Sequence, residues 1–120
     1  MHATRHLGVM LIYKILTNAQ WLAMQADGRT LGAPIDLADG FIHFSSAMQA
    51  AETADKHFAG QTDLWLLGVE EGDLTDVRWE RSRGGQLFPH LYGELPLNKV
   101  SWALPLPLGK EGHIFPEDPS

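Results

Sequence analysis

Two short segments hold most of the side chains able to do chemistry. In Phe41-Ile42-His43-Phe44-Ser45-Ser46, alternation along an extended chain puts Phe41, His43 and Ser45 on one face and Ile42 and Phe44 on the other. Burial of Ile42 and Phe44 leaves His43 and Ser45 side by side, about 7 Å apart by the rise of a strand. An imidazole and a hydroxyl at that spacing can grip two polar points of one ligand, such as ribose hydroxyls. The plainer alternative is that His43 satisfies a backbone carbonyl and Ser45 helps cap the next helix; Ser46 is assigned to capping. The second segment, Arg81 to Glu94, gathers two Arg, three Gly, a His, a Tyr and an acid. Arg83 beside the flexible Gly84-Gly85 can wrap an anionic group with guanidinium and backbone N–H together. Tyr92 offers an aromatic face with a hydroxyl at its edge, and Pro89 sets the angle at which His90 projects. Alternatively, this is a packed surface loop anchored by Phe88 and Tyr92. Glu80, just before the loop, is recommended by its position alone.

Other chemistries are excluded by what the chain lacks. With no Cys among 120 residues, there is no disulfide, thiolate metal site or Cys nucleophile. The phosphate-loop, dinucleotide-fold, serine-hydrolase-elbow and His-Glu-x-x-His patterns are missing. Six His occur, but none at paired helical spacing with a carboxylate, and Asp36, Asp39 and His43 make a poor metal cluster, so no metal site is expected. A net charge of −6 argues against a broad nucleic-acid surface, though not against one local basic pocket. No stretch reaches the roughly 20 apolar residues that cross a bilayer, so the expectation is a cytoplasmic protein with no membrane partner.

The elements that must position these residues can be read from periodicity. Leu11 to Leu16 reads as a strand, and Thr17-x-x-Gln20 is a capping box that opens a short helix with Trp21 and Leu22 turned inward. Gly40 to Phe44 reads as a second strand, followed by a second capping box, Ser46-x-x-Gln49. Behind it Ala47, Ala50, Ala51, Ala54 and Phe58 form a narrow apolar stripe, and His57 meets the negative end of the helix dipole. Asp63 to Glu70 has the pattern of a central strand buried on both sides. Val77 to Glu80 alternates, placing Arg78 and Glu80 on one face; Arg81 to Leu95 reads as an ordered loop, and Lys99 to Leu104 alternates again. These elements predict one α+β domain over residues 10–108, with a mainly antiparallel sheet and two short helices. Residues 1–9 form an N-terminal extension and 109–120 a C-terminal tail.

The order Ile12-Tyr13-Lys14-Ile15, Asp39-Gly40-Phe41-Ile42-His43-Phe44-Ser45, Gln49, Asp63-Leu64, Glu80 and Leu87-Phe88-Pro89-His90-Leu91-Tyr92-Gly93 resembles domain of unknown function family 952 over about Met10 to Leu108. That family is in turn distantly similar to the ADP-ribosyltransferase superfamily, which splits the nicotinamide–ribose bond of NAD on a small α+β fold with a split sheet. The resemblance implies that His43 holds a ribose hydroxyl with Ser45 assisting, that Tyr92 stacks on the nicotinamide ring, and that Arg83 with Gly84 and Gly85 contacts phosphate. Lys14 stands where relatives often carry His; it can still bind phosphate but cannot reproduce the acid–base role of imidazole. Glu80 fits the family pattern for the catalytic acid better than Glu94.

Three functions remain open at this level. One is an enzyme that takes NAD as a substrate, not a tightly bound cofactor, and transfers ADP-ribose, with His43, Glu80 and His90 catalytic and Lys14, Ser45, Arg83, Gly84, Gly85 and Tyr92 binding. A second is a module that binds a nucleotide or sugar phosphate without turnover. The third is a protein-interaction domain with Phe88 and Tyr92 as exposed anchors.

Overall fold

The β-branched and aromatic run after Met10 forms strand β1 (Leu11–Thr17), and it ends where Thr17 turns to cap a helix. The Thr17 hydroxyl accepts from the Gln20 amide at 3.2 Å, and Gln20 Oε1 accepts from the Thr17 amide at 2.9 Å. This reciprocal pair satisfies two donors that a helix start otherwise leaves open. Helix α1 (Asn18–Asp27) follows and stops at Gly28, whose φ of 79° is left-handed. Then come β2 (Arg29–Thr30), helix α2 (Pro34–Asp39) and β3 (Ile42–His43). The second capping box, Ser46 with Gln49, opens helix α3 (Ala47–His57) as its sequence predicts. The chain continues through β4 (Leu64–Glu70), β5 (Val77–Arg81), β6 (Leu87–Leu91), β7 (Leu95–Pro96), β8 (Val100–Leu106), β9 (Leu108–Gly109) and β10 (Gly112–His113). The computed structural model describes residues 10–117, so the expected extension at 1–9 lies outside the described residues.

Two three-stranded antiparallel sheets organise the molecule, in the orders β1-β4-β8 and β3-β6-β5. As its unbroken apolar run requires, β4 is central and buried on both faces. Leu67 and Val69 join Ile12, Leu16, Phe44 and Leu91 in one core, while Leu64 and Leu66 join Ile15, Ala54 and Leu106 in another. The sheets meet where the chain after β3 leaves β6 for β1: Tyr13 and Ser45 exchange backbone hydrogen bonds of 2.7 and 2.9 Å.

Four details differ from expectation. A third helix, α2, forms without a side-chain cap; Pro34 sits in its first turn and the Asp36 carboxylate receives the Ala33 amide at 2.7 Å. Residues 87–91, read as loop, form the central strand of the second sheet despite Pro89. In an extended strand, N and C=O of one residue point to the same side. Pro89 C=O turns toward Phe44, accepting its N–H at 2.9 Å, so the missing N–H weakens no bond to β5. Leu22 is exposed, and Met24 is the buried residue of α1, because the helix rests on its other face. Residues 109–117 are not a loose tail. They fold into the β9–β10 hairpin, where His113 Nε2 donates to the Gln61 carbonyl at 2.8 Å and Phe115 packs on the second core.

Gly68 on β4 faces the indole of Trp102, which also meets Tyr13 edge-on with ring centroids 5.6 Å apart. A methyl group at Gly68 would land on that indole. Gly68→Ala is expected to cost about 2 kcal/mol or more by overpacking, read as a lowered urea midpoint at unchanged slope.

Candidate active site

The site is built around one carboxylate. Asp36, in α2, is buried, and each of its oxygens accepts two hydrogen bonds. Oδ2 takes Lys14 Nζ at 2.8 Å and the Ala33 amide at 2.7 Å. Oδ1 takes the His43 amide at 3.1 Å and lies 2.6 Å from His43 Nδ1. Gly32, at φ 101°, lets the chain pass where a Cβ would strike the Asp36 side chain. Burial alone would push the Asp36 carboxyl up; the His43 bond and the Lys14 charge overcome it and hold the group at about 2. Burial lowers the pKa of Lys14, with Asp36 opposing. Two of the three Lys14 protons are already committed, to Asp36 and to the His43 carbonyl at 3.0 Å. The outer nitrogen of His43 faces a second acid, Nε2 lying 3.0 Å from Asp39 Oδ2.

Across from this cluster stands His90, brought there by register: His43 on β3 pairs with His90 on β6. Their rings meet edge to face with centroids 5.3 Å apart, and Phe41 stacks on His90 at 4.2 Å. His90 is 3% exposed. Its Nδ1 is 2.7 Å from Glu80 Oε1, the same oxygen that receives the Tyr92 hydroxyl at 2.8 Å. The carboxylate can only accept, so the proton of a neutral His90 sits on Nδ1 and Nε2 carries the lone pair. That Nε2 is buried and has no partner among the described residues. The bonds from His90 and Tyr92 hold the Glu80 carboxyl below its usual range, and the Glu80 bond raises the Tyr92 phenol above its own. Arg78, paired with Asp76 at 2.9 Å, covers the Tyr92 ring at 4.2 Å.

A cavity of about 560 Å³ opens beside the two clusters, and His43 and His90, whose rings touch, both line it. That volume lies within the range of small-molecule sites. Lys14, His43, Ser45 and His90 line it, as do Asp36, Asp39, Thr53, His57 and Ser82. His43 and Ser45 both line the cavity, but so does Phe44, which alternation puts on the other face, and the Ser45 hydroxyl is engaged with Thr53 Oγ1 at 2.8 Å. Glu80 does not line the cavity; it stands behind His90. Tyr92 lines a different hollow, of about 370 Å³, with Asp73, Glu94 and Lys99. Gly84 and Gly85 lie at the exposed turn between β5 and β6 and reach neither hollow, and the Arg83 side chain lies outside the described residues. Phe88 is 4% exposed, so it is core and not an anchor for a partner.

Sequence reasoning weighed Asp36 and Asp39 only as metal ligands and His57 only as a helix-end cation, and so missed their places in the cavity lining. Asp36 is the third residue of a helix opened by Pro34, and its proximity to Lys14, 22 residues earlier, has no local signature. The Asp36–His43 spacing does bring an acid and a His together, as an ion pair. Among the described residues no group of three His or acids is placed to hold a metal ion.

The family described as "Protein of unknown function (DUF952)" matches residues 15–103. The chain belongs to this family. It is 52% identical to protein CC0527 from Caulobacter crescentus, whose crystal structure matches with a TM-score of 0.82 over 86% of this chain and 91% of that one. The solution NMR structure of CC0527 matches at 51% identity and a TM-score of 0.76, over 86% and 90% of the two chains. No curated protein matches. The DUF952 chain thus shares its antiparallel α+β architecture with a solved protein at an identity high enough to carry the core along.

The Asp36 cluster makes a test independent of any ligand. A carboxyl held at about 2 instead of 3.8 adds about 2 kcal/mol of stability above pH 4, lost as the pH falls through 2. Asp36→Asn leaves the Lys14 ammonium buried without a counter-charge and is expected to cost about 3–5 kcal/mol at pH 7. The gap to the wild type should narrow between pH 4 and 2, because the wild type then loses the same charge; denaturant titrations across that range check it.

Proposed function

We propose that this DUF952 protein is a small-molecule enzyme of the glycosyl-transferring type, with NAD or a related ADP-ribose donor as substrate and the two-histidine cavity as its reaction site. One observation carries the reading. His90 lines the cavity with Nδ1 held by Glu80 and Nε2 unpartnered, the arrangement of an imidazole poised to take a proton. The substrate class comes from the resemblance to ADP-ribosyltransferases.

In this reading His43 and Ser45 bind the sugar, and the nicotinamide–ribose bond breaks with its electron pair leaving on nicotinamide. The anomeric carbon gains oxocarbenium character as it does so. An acceptor hydroxyl forms the new bond to that carbon and gives its proton to His90 Nε2, an atom that is buried in the free chain and that ligand binding has to uncover. Of the acids that line the cavity, Asp36 is answered by Lys14, and Asp39 supplies the negative field that offsets the developing charge. Glu80 takes a different part from the one its sequence position implies: it is a positioning residue that holds the His90 tautomer, and Tyr92 braces Glu80. Asp36 and the His43 carbonyl take two of the Lys14 protons, which leaves one for a phosphate oxygen of such a donor.

Released nicotinamide from labelled NAD, with water and a panel of hydroxyl and amine acceptors, is the direct measurement. His90→Gln is expected to reduce the rate roughly 10²–10⁴-fold, the range for loss of a general base. Glu80→Gln should lower it about tenfold and move the downfield Nδ1 proton resonance of His90, which a merely structural role would leave in place. No release from any donor–acceptor pair overturns the enzymatic reading. NAD-dependent thermal stabilisation in its absence would establish the binding module in its stead.

A further inference from the structure

Asp39 closes α2 at the mouth of the cavity, and the proposed chemistry leaves its specific contact with His43 unexplained. The two acids that hold the His43 ring are unlike each other. Asp36, on the inner nitrogen, is buried with four hydrogen bonds. Asp39, on the outer one, has a side chain 42% exposed, and its only ion-pair or side-chain hydrogen-bond partner among the described residues is His43 Nε2. The side chain of His43 is itself 30% exposed. The inner bond fixes the ring, so the outer bond is the one a ligand can exchange.

A hydroxyl is the group suited to enter that contact, because it both donates and accepts. With both ring nitrogens of His43 carrying N–H, as its two carboxylate neighbours require, the hydroxyl accepts from Nε2–H and donates to Asp39 Oδ2, so neither partner is left unpaired. A second hydroxyl on the neighbouring carbon can donate to the other Asp39 oxygen. A phosphate at the same point has only acceptors to offer and would be repelled by the carboxylate. We propose that Asp39 and His43 form a clamp for a vicinal diol, selecting ribose-type sugars with both ring hydroxyls free, and that Asp39 is the specificity-determining residue of the cavity. The inference rests on reading the cavity as the site of a sugar-bearing ligand, but not on turnover.

Methyl β-D-ribofuranoside and its 2-deoxy counterpart, titrated into the full chain, test it. The ring signals of His43, identified by their loss in His43→Gln, report occupancy by NMR. The riboside is expected to shift them saturably, and the deoxy sugar to bind about tenfold more weakly, the effect of one hydrogen bond to a charged group. Asp39→Asn, at an exposed position, should weaken the riboside about tenfold and abolish the preference. Absence of a riboside-dependent shift at His43, equal affinity for the two sugars, or unchanged affinity in Asp39→Asn overturns the clamp. The sugar comparison on the wild type decides the matter even where the variant folds poorly. Nicotinamide release is read separately. A chain that discriminates the sugars but releases no nicotinamide keeps the clamp and loses the glycosyl-transfer reading, and nicotinamide release with equal affinity for the two sugars does the reverse.

Discussion

The buried Asp36 carboxylate ties together three parts of the chain that nothing local would join. Lys14 comes from the first strand of one sheet, the Ala33 amide from the entry to α2, and His43 from the strand that links the two sheets. A buried carboxylate is costly unless its lone pairs are met, and here four donors meet them. A buried ammonium is costly too, and Asp36 is its counter-charge. The cluster is therefore all-or-none, since losing one member leaves the others desolvated without partners.

That constraint defines one wall of the cavity. With Asp36 fixed, the His43 ring is held by its inner nitrogen, and its outer nitrogen meets the exposed Asp39. The adjoining wall is set by strand register. Pairing of β3 with β6 puts His90 against His43, and pairing of β6 with β5 puts Glu80 beside His90. Phe41 packs on both histidines and on Tyr92, so the aromatic contacts and the hydrogen bonds specify one arrangement. Preorganisation of this kind is what proton transfer in a confined site requires.

The division of labour among the acids follows from depth. Asp36 is saturated with hydrogen bonds, Asp39 is exposed with His43 as its ion-pair partner among the described residues, and Glu80 is bonded to an imidazole without lining the cavity. Similar residues by type, they differ in what each can still bind. The Gly84-Gly85 turn, which composition marks as an anion cradle, connects two strands away from the cavity. Its glycines serve left-handed backbone, with φ of 64° and 78°.

Local patterns were enough to determine both capping boxes, the doubly buried β4 and the antiparallel α+β class. Each depends on side chains within a few residues of one another, where periodicity and capping chemistry act directly. Pro89 misled because a missing N–H matters only in relation to neighbouring strands, and those neighbours are 45 and 10 residues away in sequence. The same holds for Lys14 with Asp36 and for Glu80 with His90. Whether a charged or titratable group is buried, answered and poised, or merely solvated, depends on desolvation and on partners that only long-range pairing brings within 3 Å. Composition names the candidates, and the tertiary structure decides which of them come together at the edge of a cavity.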